Sequence, residues 1–208
     1  MGEQKKYAYQ IEMLMQKKID RLLEEGSWSR AMLAKLRRGI GKPPGELPEL
    51  FEIFLSDMPD ELYGEHDDPS YAVWSIYTAL TLFALHQQGK DHAMSVGRKT
   101  EDKRFGNSLG SAVGHLVRQD MDRGPAIKRR FDKVTTATAL TELAHHARGL
   151  IQLLRTCDVT LDYPRFAVDL YWFQFDEIRD RIRLRWGQDF YIMAQANNKK
   201  ENGGISNE

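Results

Sequence analysis

The sequence predicts an all-α fold: about eight helices in one or two bundles, with short loops and a disordered C-terminal tail. Apolar residues recur at helical spacing along nearly the whole chain, and no period-two alternation of useful length appears. Three glycines and three prolines collect in residues 39–48, which therefore cannot sit inside a helix. A composition that is 41% hydrophobic and 29% charged places the chain among globular rather than disordered proteins.

Ile11, Leu14, Met15, Ile19 and Leu22 mark a first helix that stops near Gly26. Ser27 is the candidate cap of a second, carrying Met32, Leu33 and Leu36. Residues 39–48, GIGKPPGELP, read as a loop, and a short helix through Leu50, Phe51, Phe54 and Leu55 ends before Pro59. Pro69-Ser70 opens a long helix to about Gln88. Its residues Val73, Trp74, Ile76, Tyr77, Leu80, Phe83 and Ala84 leave almost no polar side, so it should be central and buried. Residues 89–106 are polar and aperiodic, and Asn107 or Ser108 can cap the following helix through Leu109, Val113, Leu116 and Val117. Pro125 sits near the start of the next helix, whose apolar stripe is Ile127, Phe131 and Val134. A helix from about Ala139 to Arg155 carries Leu140, Leu143, Ala147, Ile151 and Leu154 on one side. Asp162-Tyr163-Pro164 starts another, and a last amphipathic stretch runs to about Ala194. The organisation expected is an N-terminal helical bundle over 1–88, a linker over 89–106, a C-terminal bundle over 107–194 and a disordered tail over 195–208.

A single cysteine, Cys157, excludes an intrachain disulfide and fits a reducing compartment. The first residues lack the apolar core and cleavage site of a secretion signal. The longest uncharged apolar run, Tyr71 to Leu85, is too short to span a bilayer. A cytoplasmic protein with no membrane partner is expected. Catalytic motifs fail in turn. Gly41-Lys42 and Gly89-Lys90 lack the Ser or Thr that a phosphate-binding loop needs next. Glu65-His66-Asp67-Asp68 reads as a solvated acidic loop. His145 and His146 point about 100° apart on a helix and cannot share a metal. Asp158 beside Cys157 would raise rather than lower the thiol pKa, which favours a structural cysteine. The aromatic group Tyr171, Trp172, Phe173 and Phe175 reads largely as core. A phosphohydrolase using His66, His86 or His92 is the weakest reading, because nothing assembles base, nucleophile and stabiliser. No enzyme activity, metal, cofactor or small-molecule substrate is expected.

Charge is the more informative pattern. The formal net charge is zero, yet Arg30, Lys35, Arg37, Arg38 and Lys42 fall in a stretch without one acidic residue. From Glu46 to Asp68 there are nine carboxylates and no Lys or Arg. A second basic cluster holds Arg123, Lys128, Arg129, Arg130 and Lys133. Sorting of this kind gives a neutral protein strong local fields. Lys128, Arg129, Arg130 and Lys133 lie off the stripe of Ile127, Phe131 and Val134. Thr141, His145, Arg148, Gln152 and Arg155 form one solvent stripe on the next helix. Cations on rigid helices suit contact with a nucleic-acid backbone, which is tracked by charge rather than read by sequence. The rival reading is a protein-assembly adaptor whose basic surface docks an acidic partner, such as residues 46–68 of a second copy.

Four segments carry a resemblance: AMLAKLRRGIGKPP (31–44), GNSLGSAV (106–113), AIKRRF (126–131) and RGLIQLLRTCDVTLDYPRFAVDL (148–170), with the closing RLRWGQDFY. In this order and spacing the chain resembles the CasB family, the small subunit of the type I-E CRISPR surveillance complex Cascade. The resemblance implies a helical, non-catalytic subunit of an antiviral defence complex. Its partners would be other Cascade subunits, a second copy of itself, the guide RNA and the target and displaced DNA strands of the R-loop. In RNA-guided recognition base pairing reads sequence while protein supplies a charged channel. Nucleic-acid contacts carried over from the family fall on Arg37, Arg38, Arg129, Arg130 and Arg148. Periodicity adds Arg30, Lys35, Lys128 and Lys133.

Overall fold

Fourteen of the 16 residues in the helix Tyr71–His86 are buried, and helices from both halves of the chain pack against it. The computed structural model describes residues 2–64, 68–97 and 107–196. Within these it has helices α1 (Gly2–Leu23), α2 (Ser27–Arg38), α3 (Phe51–Phe54), α4 (Tyr71–His86), α5 (Leu109–Gln119), α6 (Gly124–Thr136), α7 (Leu140–Thr156), α8 (Tyr163–Phe173) and α9 (Asp176–Ala194). No β-strand occurs among the described residues. Two segments lie mainly outside them: the acidic loop at Glu65, His66 and Asp67, and all of the predicted tail except Gln195 and Ala196.

α4 packs against α1, α2, α3, α7 and α8. Several of its polar side chains find partners, most of them close by, as burial demands. Ser70 caps the helix by accepting from the Val73 N–H at 3.0 Å. Ser75 and Thr81 donate to the carbonyls of Ala72 and Thr78. Tyr77 donates to the Gly39 carbonyl at 3.0 Å and so fixes the end of α2. At the far end His86 Nδ1 meets the Tyr163 hydroxyl at 3.1 Å, within the core. One cluster of buried apolar side chains includes residues of all nine helices. α1 and α4 both pack on α8, so contacts cross residues 89–106. The start of that segment is itself held. Gln87 binds the His92 carbonyl and the Met94 N–H, and Met94 and Val96 exchange backbone hydrogen bonds with Leu161.

Two local expectations need adjustment. Ser27 is the first residue of α2 rather than its cap. The turn uses Glu24 to Gly26, and no side chain caps the helix. Cys157 is exposed, at the C-terminal cap of α7. Ser108 and Asp162 cap α5 and α8 through Ser111 and Arg165 N–H groups.

α5 and α9 approach most closely, and glycine permits it. A Cβ added to Gly110 would lie 2.0 Å from the Trp186 carbonyl oxygen, and one on Gly114 2.5 Å from that of Phe190. The stripe Ile182, Trp186 and Phe190 turns inward on α9, and the Phe190 ring stacks on Phe131 at 5.0 Å. Trp186 Nε1 donates to buried Asp169 at 2.6 Å, and Arg185 pairs with the same carboxylate. Burial pushes the Asp169 pKa up, and Arg185 opposes that shift.

Gly110→Ala adds about 1 kcal/mol of helix propensity, yet it should destabilise the chain by about 1–3 kcal/mol in urea denaturation because the backbones collide. Burial depresses His86 from 6.5 to about 4. The neutral ring's stability is therefore complete above pH 6.5 and lost as pH falls toward 4, by about 3 kcal/mol over the window. His86→Leu should remove that part of the pH dependence; identical wild-type and variant profiles would show that His86 does not titrate in this way.

Candidate nucleic-acid interface

The nine predicted cations are not equivalent. On α2, Arg30 is exposed and Lys35 half-buried. Arg37 lies against α4 and donates to the Ala84 carbonyl at 3.4 Å. Burial, with the neighbouring charge of Arg155, holds its guanidinium below the ordinary arginine value. Arg38 is paired with Glu49 at 2.9 Å. On α6, Arg129, Arg130 and Lys133 are exposed, off the buried stripe of Ile127, Phe131 and Val134. Lys128 is tied to Asp132 at 2.8 Å, a hydrogen bond that raises its pKa. Arg148 is exposed on α7. Among the described residues, Arg30, Lys35, Arg129, Arg130, Lys133 and Arg148 have no ion-pair partner.

α7 links the two basic clusters. It packs against both α4 and α6. Arg130 extends toward α7, with Nη1 3.8 Å from the position a Cβ would take on Gly149, the residue after Arg148. At the C-terminal end Arg155 lies near Arg37 and donates to Gln88 at 2.8 Å. Between these points Lys42, His145 and Arg148 line one cavity with Trp74 and Tyr77. Lys42, His145 and Arg155 therefore lie on the candidate surface with the predicted cations; the sequence had marked His145 and Arg155 as potential phosphate partners on the solvent stripe and Lys42 as part of the first basic run, without counting them in the contact set. The charge run and the solvent stripe that contained them were the available signals.

The acidic segment serves this chain's own helices. Lys6 pairs with Glu61 at 2.8 Å, Lys17 with Asp57 at 3.1 Å and Arg21 with Glu52 at 3.6 Å. Arg38 and Lys42 pair with Glu49 and Glu46. Below this segment, buried Lys18 donates to the carbonyls of Ile53 at 2.7 Å and Ser56 at 2.6 Å, closing the C-terminal end of α3. Burial lowers Lys18 to about 8. Residues 46–61 thus form an acidic strap over α1 and α2.

The histidines do not converge. His86 is in the core, His92 is paired with Asp91 and Asp158, and His66 lies outside the described residues. Among the described residues, no group of three or more His, Cys, Asp or Glu could hold a metal. No helix there is long and apolar enough to cross a membrane.

A family model for the CRISPR-associated protein Cse2 matches residues 32–191. The chain belongs to that family. CasB from Thermobifida fusca is 28% identical, with a TM-score of 0.65 over 89% of this chain and 97% of the other. M. ruber CasB, at 23% identity, superimposes with a TM-score of 0.65 over 92% and 98%. A chain of a CRISPR RNA-guided surveillance complex shares the fold at 17% identity, with a TM-score of 0.65 over 94% and 99%. No curated protein matches. The Cse2 match spans α6 and α7 entirely, so the CasB resemblance and the exposed cations concern the same part of the chain.

The exposure of Arg129 and Arg130 has a direct consequence for stability. Replacing both with alanine should change it by no more than about 1 kcal/mol, as for surface sites away from special contacts. Far-UV circular dichroism should be unchanged; loss of helix signal would mean that they help hold α6 in place.

Proposed function

We propose that this chain is the small, non-catalytic subunit of a type I-E CRISPR RNA-guided surveillance complex. In this reading it binds nucleic-acid backbone and stabilises the R-loop formed by guide RNA and target DNA. The observation that carries the reading is the set of cations without carboxylate partners on α6, α7 and α2, among the described residues. Membership in the Cse2 family and the fold shared with a surveillance-complex chain support it. The function needs no reacting group. Guanidinium and ammonium groups displace counterions from phosphates, and rigid helices hold their spacing. Arg129, Arg130, Lys133 and Arg148 provide the main contacts. Arg30 and Lys35 extend them, and Arg37 joins Arg155 at the edge. Arg38 and Lys128 contribute less because each already has an intramolecular carboxylate.

The partners in this reading are the other subunits, a second copy of the chain, the guide RNA and the target and displaced strands. Exposed apolar residues favour a protein contact as well. Leu184, Tyr191 and Ile192 on α9 are 63%, 50% and 46% exposed. The adaptor reading uses such a face without nucleic acid. Its proposed acidic counterpart, residues 46–68 of another copy, already has five of its carboxylates paired within this chain.

Salt dependence separates the readings. If ~5 phosphates of a single strand are neutralised, log affinity should fall with log salt at a slope of about −3.5. Removing Arg129 and Arg130 together should bring the slope to about −2.1. A slope near zero in filter binding, with self-association in sedimentation unaffected by added single strands, would favour the adaptor.

A further inference from the structure

A cavity of about 300 Å³ opens between the loop after α2, the middle of α4 and the solvent stripe of α7. Its walls are apolar and aromatic, with Ile40, Pro43 and Trp74 among them, and its lining includes Lys42, His145 and Arg148. No carboxylate lines it. Its volume is at the lower end of the roughly 300–1,000 Å³ of small-molecule pockets, suited to one planar ring system rather than a folded peptide. The walls are held in place. Tyr77 anchors the loop through the Gly39 carbonyl at 3.0 Å. Gly41, at φ 80°, supplies the left-handed turn that precedes Lys42. Trp74, Thr78 and Thr141 are among the lining residues, and none of the three makes a side-chain hydrogen bond among the described residues.

We propose that this cavity seats one unstacked nucleobase of a single-stranded nucleic acid, with the adjoining phosphates on Arg148 and Lys42. The proposal rests on the backbone-binding reading above and adds to it a place for a base. A single strand that follows a cationic surface exposes its bases, and an aromatic wall captures them without sequence preference, since every base has a π face. Trp74 supplies that wall. The hydroxyls of Thr78 and Thr141 both donate and accept, so they can bond the edge of any base. Lys42 exchanges its contact with Glu46 for a phosphate, while Arg148 has no ion-pair partner to give up among the described residues.

The test compares two ligands on the full chain: an oligothymidylate of about 15 nucleotides and a fully abasic strand of equal length. Stacking should favour the base-bearing strand by about 5- to 150-fold. Trp74→Ala should bring that ratio close to one, with the abasic affinity and salt slope unchanged. Because Trp74 is half-buried, Ala144→Phe provides a second variant that fills the cavity from α7 and leaves the indole in place; it should erase the same preference. An equal ribouridine strand runs in parallel. A preference in either arm that both folded variants erase supports the pocket, and the larger preference identifies DNA or RNA as its source. A wild-type ratio of one, or a ratio that survives in Ala144→Phe, overturns the pocket while backbone binding to the abasic strand stands. Failure of wild type to bind any strand at low salt overturns the pocket together with the backbone-binding reading.

Discussion

The burial of α4 is the constraint on which the rest of the structure depends. A helix with almost no polar side cannot sit at a surface, so other helices must cover it. α1, α2, α7 and α8 do so, and each consequently has one face turned inward and another left for charge. The charge pattern follows from this. With the centre closed to ions, the 30 basic and 30 acidic side chains of the sequence have to find places at or near the outside. Only a few enter the interior, and they do so with partners: Lys18 on two carbonyls, and Asp169 between Arg185 and Trp186.

Neutrality of the whole chain conceals an uneven distribution on the outside. The acidic strap pairs its carboxylates with cations of α1, with Arg38 at the end of α2 and with Lys42 in the loop beyond. Exposed pairs of this kind contribute at most about 1 kcal/mol each, so their main effect is on the field. They neutralise one side of the molecule at short range, and the cations of α6 and α7 lack comparable cover among the described residues. Screening over about 8 Å at physiological salt prevents distant carboxylates from cancelling the exposed cluster. The surface over α6 and α7 is therefore locally basic on a chain with no formal net charge.

How much of this was legible in the sequence depended on the range of the interaction. The helices were legible because periodicity is local. Pro125, Ser108 and Asp162 marked starts that the structure retains, and the polar-free run of α4 announced its burial. The off-core placement of Arg129, Arg130 and Lys133 was legible for the same reason. The partners of the acidic segment were not: Lys6 and Glu61 are 55 residues apart, and nothing local in either residue identifies the other. The cavity was also hidden, since Trp74 reads as core by spacing and becomes a wall only when the loop at Pro43 and the stripe at His145 fold against it. The helix that holds Gly110 and Gly114 was legible, but the α9 backbone that requires glycine there was not.

Arg37 and Arg155 show what the surface costs the isolated chain. Two half-buried arginines have been brought close together, and no carboxylate pairs with either among the described residues. A backbone carbonyl and the Gln88 amide oxygen are their hydrogen-bond partners. Like charges in such proximity oppose folding, and a carboxylate at Gln88 would relieve them. A neutral partner instead holds both side chains in position while preserving their charge. That arrangement is unfavourable in the isolated chain, and under the proposed function a phosphate lying across it would make it favourable. Under the proposed function the same logic applies to Arg129, Arg130 and Arg148 on the neighbouring helices: the stability forgone by leaving cations unpaired would be recovered on binding, when counterions are released from a nucleic acid.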